Sequence, residues 1–142
     1  MATDDLLGVW RLVAYFELDD TGATREGPLG PAPEGLLMYR GDGYVAVSMM
    51  RGRNGSGAGP AAPPAGQEAF MGYAGRWRRE GDTVVHRVEV SAHPRQVGTE
   101  QVRDVVLDGD RLTLYGTRLD GLGRRKLEWE RVAGEPSGEV DR

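Results

Sequence analysis

Apolar and polar residues alternate with a period of two in a series of short runs, each bounded by turn-forming residues such as Gly and Asp. Neighbours along a strand point to opposite faces, so this period marks strands rather than helices. About eight such runs are present, the number that closes a small up-and-down barrel. They are Val9–Leu18, Gly35–Arg40, Tyr44–Met50, Tyr73–Arg79, Thr83–Ser91, Thr99–Asp108, Arg111–Thr117 and Arg124–Val132. Only Gln67–Met71, and Thr3–Leu7 behind an N-capping Thr3, read as brief helix.

The connections sharpen this picture. Gly41-Asp42-Gly43, Glu80-Gly81-Asp82 and Asp108-Gly109-Asp110 are tight hairpin signals. The connections between them, Asp19–Glu34, Arg51–Gly72, Ala92–Gly98 and Arg118–Gly123, are longer. Short and long alternate along the chain, and in an antiparallel meander alternate connections lie at opposite poles. The expected fold is an all-β, eight-stranded antiparallel barrel with one pinched pole and one open pole ringed by loops. Residues 51–72, rich in Gly, Ala and Pro, are either a functional lid or a disordered loop.

A chain of 142 residues suits one domain, here taken as residues 1–132, with a polar tail at 133–142 expected to fray. The net charge of -4 argues against nucleic acid or an anionic membrane as partner. With no cysteine, thiolate nucleophiles, disulfides and iron-sulfur clusters are excluded. His86 and His93 lie on different elements without supporting carboxylates, so no metal site is expected, and no dinucleotide or phosphate-loop motif calls for a cofactor. Met1–Leu7 carries Asp4 and Asp5 and neither a basic nor a long apolar run, so a cytoplasmic location without signal peptide or membrane span is the default. An exposed apolar strand face would allow a homo-oligomer.

Gly8-Val9-Trp10-Arg11-Leu12 resembles the Gly-x-Trp signature of lipocalins. Pro33-x-Gly35-x-Leu37-x-Tyr39, Asp42-Gly43, the run Thr83–Ser91, Val97-Gly98-Thr99-Glu100-Gln101-Val102-Arg103, Gly109–Leu114 and Leu127–Val132 extend the resemblance over nearly the whole chain outside residues 51–72. Together they resemble the bacterial and fungal lipocalin-like domain family. The sequence departs from that pattern at Arg95 and Gln96, where an Asn-Trp pair is common. The resemblance implies a calycin-type barrel in which the tryptophan plugs the closed pole. It also implies a secondary-metabolite setting, in which small lipocalin-like barrels include cofactor-free cyclases of polyketides.

Strand parity nominates the cavity residues. Val84, His86, Val88 and Val90 share one face, as do Gln101, Arg103, Val105 and Leu107, Leu112, Leu114 and Gly116, and Trp10, Leu12, Ala14 and Phe16. His86, Gln101 and Arg103 are the candidate catalytic groups: the arginine and the amide would donate to a substrate carbonyl while the imidazole orients it or moves a proton. The same groups also suit a satisfied polar plug, the plainer reading of the two. Phe16, Tyr39, Met50, Tyr73, Trp77, Val88, Leu114 and Leu127 are the candidate substrate contacts, any of which the core alone also explains. Trp10 and Arg131 read as a structural stack at the pinched pole. The function expected is a cofactor-free cyclase or isomerase, with intramolecular cycloaddition as one form, folding an apolar polyketide-type molecule into a near-attack geometry. The alternative is a carrier that binds such a molecule unchanged.

Overall fold

The computed structural model describes residues 5–52, 68–117 and 123–132. The alternating runs form β1 (Gly8–Leu18), β3 (Glu34–Tyr39), β4 (Tyr44–Met50), β5 (Phe70–Glu80), β6 (Thr83–Ser91), β7 (Glu100–Asp108), β8 (Arg111–Thr117) and β9 (Arg124–Arg131), with a short β2 (Thr24–Glu26) after the first. All neighbours are antiparallel. Because β1 pairs with β9 as well as with β3, eight strands close into a barrel, and β2 hangs as an arm on the far end of β1. The expected fold class is the observed one. The arm went unread because Thr24, Arg25 and Glu26 are all exposed and carry no apolar alternation.

Neither expected helix is seen among the described residues. Glu68 and Ala69 are irregular, and Phe70 and Met71 already belong to β5, where cross-strand pairing with Met50 and Met49 overrides local propensity. Asp5 and Leu6 form a turn; Gln67, Thr3 and Asp4 lie outside the described residues, as do most of the 51–72 lid and the 133–142 tail. The helical element that is described is a 3-10 turn at Pro94–Gln96, and among the described residues no helix is long and apolar enough to cross a membrane.

The poles differ as the loop lengths require. The turns joining β3–β4, β5–β6 and β7–β8 hold Gly43, Gly81 and Gly109 at φ of 95°, 64° and 61°, a region that favours glycine. At that pole Trp10 and Leu6 are fully buried, the Trp10 indole donates to the Leu6 carbonyl at 3.0 Å, and the Arg131 guanidinium lies 4.3 Å from the Trp10 ring centre. Arg131 also donates to the carbonyls of Leu7 and Asp5 at 2.9 and 2.8 Å, stitching the chain start under the barrel.

Two bulges alter the simple parity. On β1, Leu12 pairs with Trp129 but Ala14 with Glu128, so Val13 is an extra residue and the faces exchange beyond it. Tyr15 therefore points inward and is buried, while Ala14 and Phe16, expected inside, leave the inner face. On β6, Ala74 pairs with Val90 but Gly75 with Val88, leaving Glu89 extra and turning Val90 outward, where it is 61% exposed. Gly75 makes the second bulge feasible, since a Cβ there would overlap the Arg87 carbonyl oxygen.

Candidate functional site

The bulges, the long loops and the inward faces of β4 to β9 converge on an inner pocket at the open pole. It is bordered by Tyr15, Met49, Met71, Tyr73, His86, Arg103, Leu114, Arg125, Leu127 and Trp129, among others. The room inside is about 50 Å³. At ~10–15 Å³ per water-sized occupant, that admits a polar head and a few carbons, not a whole polycyclic skeleton. A wider recess of about 560 Å³, bordered by Glu68, Arg95, Thr99 and Gln101, shares His93 and Gln96 with the pocket and continues it outward.

His86 is the chemical centre. β6 carries it inward between Val84 and Val88, and its imidazole is 2% exposed. The Tyr39 hydroxyl, from the end of β3, lies 2.7 Å from Nε2; the Tyr73 hydroxyl, from β5, lies 2.6 Å from Nδ1. Burial first, and the nearby Arg103 charge second, lower its pKa from 6.5 to about 3, so the ring is neutral at physiological pH. A neutral imidazole has one N–H and one lone pair. It must accept from one tyrosine and donate to the other, and the accepting tyrosine keeps its own proton to pass onward. Where Nδ1 carries the hydrogen, that onward donor is Tyr73, whose phenol borders the pocket. Burial also raises the Tyr73 pKa and carries that of Tyr15 to about 12, so both phenols are protonated donors.

Arg103 enters from β7 because Gly116, on β8, has no side chain: a Cβ there would stand 2.7 Å from the arginine Cδ. Its guanidinium donates to the Gln101 Oε1 at 3.3 Å and to the Val102 carbonyl at 3.1 Å, long bonds for a half-buried cation. Gln101 in turn donates to Thr99 Oγ1 at 2.9 Å and faces the outer recess. Of the three candidate catalytic groups, His86 and Arg103 border the inner pocket and Gln101 stands behind the arginine.

The candidate substrate contacts divide. Tyr73, Leu114 and Leu127 border the pocket. Tyr39 and Trp77 pack against each other at 4.8 Å between ring centres, one layer deeper, with Val88 fully buried. Met50 and Phe16 do not reach the pocket. Val45, Val47 and Met49 take the inner face of β4, so Met50 points into an outer crevice with Arg11 and Phe70, and Phe16 is displaced by the β1 bulge. Tyr15, Met49, Arg125 and Trp129 are pocket residues that the sequence reading did not nominate as ligand contacts. Arg125 and Trp129 share the parity of Leu127, so the signal for them was present; for Tyr15 there was none.

A closed antiparallel meander plugged by tryptophan at one pole and opening into an apolar pocket at the other defines a lipocalin-type barrel. The chain belongs to the lipocalin-like domain family, whose model matches residues 7–132. No curated protein matches it. It is similar to the crystal structure of an uncharacterized protein from Bacteroides eggerthii DSM 20697, at 15% identity and a TM-score of 0.50, covering 90% of this chain and 100% of the other. At that identity the likeness concerns the fold alone.

Proposed function

We propose that the barrel binds a small, largely apolar molecule whose polar end enters the inner pocket and whose body extends through the recess at His93 and Gln96. The observation that carries this reading is the set of hydrogen-bond donors placed at the end of an otherwise apolar pocket, a pattern of ligand sites. A self-sufficient core would bury apolar groups there instead. Titration with the fluorescent amine N-phenyl-1-naphthylamine tests it. The expected result is saturable binding at one probe per chain, abolished when Met71→Trp fills the pocket in a variant whose circular dichroism is unchanged. Binding that survives Met71→Trp would place the probe on an outer face and contradict the reading.

A second reading, catalysis, is favoured by the Tyr39–His86–Tyr73 chain. A phenol fixed by a buried neutral imidazole is a preorganised donor for a substrate carbonyl, and such donors lower barriers without acid, base or cofactor. On this reading the protein is a cyclase or isomerase of a polyketide-type molecule in natural-product biosynthesis, and cycloaddition is within its means. The 50 Å³ interior means that the reacting carbons would lie in the recess, with only the activating carbonyl inside. Incubation with a linear polyene precursor, followed by mass spectrometry, separates the two. A product of unchanged mass and new retention time supports catalysis; bound precursor recovered intact leaves a carrier.

A further inference from the structure

The donors of the inner pocket are not balanced by acceptors. Among the described residues its lining holds two guanidinium groups, Arg103 and Arg125, and no carboxylate. The acid that approaches is Glu17 at the rim, whose Oε2 stands 3.8 Å from Arg125 Nη2, beyond hydrogen-bond range. His86 is neutral, and Tyr15 and Tyr73 are protonated phenols. Among the described residues, two cations face one acid, an excess of one positive charge.

Three buried nitrogens bordering the pocket also lack hydrogen-bond partners; one is His93 Nε2, 3.8 Å from a Glu68 carboxylate oxygen, and the other two are donors in any protonation state. The Arg125 Nε–H and the Trp129 indole Nε1–H are both buried and make no hydrogen bond, and both residues border the pocket. Trp129 is 1% exposed, so bulk water does not serve it. An unpaired buried donor costs about 1–3 kcal/mol, and most buried polar groups in folded proteins are paired. Two such donors in one pocket, flanked by a loosely bonded Arg103, describe an acceptor position that none of the described residues supplies. Tyr15 marks its middle: both arginines act on its phenol electrostatically, and the Arg125 guanidinium lies 5.4 Å from its ring centre.

We propose that the ligand is an amphipathic acid, an apolar chain or ring system ending in a planar, singly charged oxygen group such as a carboxylate, whose head binds between Arg103 and Arg125 and accepts from the Trp129 indole. This deepens the binding reading and rests on it. The charge excess matches a monoanion, and the 50 Å³ interior matches a head of that size. Charge-assisted bonds to guanidinium are among the strongest a pocket can offer, which makes the acid group the anchor rather than a passenger.

The test is competitive displacement of N-phenyl-1-naphthylamine by decanoate and by decan-1-ol at neutral pH, which share a chain and differ in the charge of the head. Decanoate is expected to bind at least tenfold tighter than the alcohol. Arg125→Met and Arg103→Gln, each checked for fold, are expected to draw that ratio down towards one, and Trp129→Phe to lower it partly. Equal displacement by acid and alcohol in the unmodified protein would overturn the acid assignment while leaving the binding reading standing. Displacement by neither would overturn both. A ratio that persists in both arginine variants would place the acid elsewhere and overturn the assignment as well.

Discussion

Burial and the Arg103 charge together keep the His86 imidazole neutral, and this has a consequence for stability. The unfolded chain takes up a proton near pH 6.5, the folded one only near pH 3. Below pH 6.5 the unfolded state therefore binds more protons, and stability falls as the pH drops towards 3; above 6.5 the contribution is complete. With a shift of this size the loss approaches about 5 kcal/mol at its limit. Urea denaturation between pH 7 and 4 should show the midpoint falling steeply, and His86→Gln should flatten that slope. An equal slope in both proteins would mean that His86 is not the group responsible. The two phenols are a second residue-scale test. Tyr39→Phe and Tyr73→Phe each strip a partner from a buried ring nitrogen, and each is expected to cost about 1–3 kcal/mol. The double variant is expected to depart from additivity, because the pair shares one imidazole; a strictly additive double-mutant cycle would argue against a connected chain.

At the scale of elements, the bulges decide which residues face the ligand. Val13 is the extra residue that brings Tyr15 inward, so deleting it should remove the bulge and restore strict alternation while Ala14 stays opposite Glu128 and Tyr15 stays inward opposite Leu127. The expected readout is that probe binding is retained; loss of binding in a folded variant would mean that Val13 is not the inserted residue. Gly75 allows the β6 bulge, and Gly75→Ala is expected to destabilise by about 1–3 kcal/mol, since the added carbon meets backbone rather than a side chain that can move. These bulges also mark what alternation could not reveal. The eight barrel strands and their turns were legible because period two and the Gly-Asp signals coincide at nearly every boundary. The inward faces of β7 and β8 were legible for the same reason, with Val105, Leu112 and Leu114 buried and Val102 and Val106 exposed. Tyr15 and Val90 were misplaced because an inserted residue leaves no trace in composition. Met49 and Trp129 were readable from parity and were passed over in favour of Met50 and Leu127.

For the whole molecule, closure matters most. Each strand of the barrel is hydrogen-bonded on both sides, so one pole can be sealed by Trp10, Leu6 and Arg131 while the other keeps space between its loops. The alternation of short and long connections announced this asymmetry in the sequence. The size of the interior was not announced, because it depends on how far side chains such as Trp129, Met49 and Met71, which border it, fill the space. That packing restricts the interior to a head group and moves the rest of any ligand outward. The methionines offer a direct readout of where a ligand sits. Met49 and Met71 border the inner pocket, Met50 faces the outer crevice, and Met38 is exposed on the outside of β3. The decisive measurement is the methyl NMR spectrum of methionine-labelled protein titrated with decan-1-ol. The account predicts that the Met49 and Met71 methyl resonances shift and saturate together while those of Met38 and Met50 stay in place. Shifts confined to Met38 or Met50, with Met49 and Met71 unmoved, would contradict it.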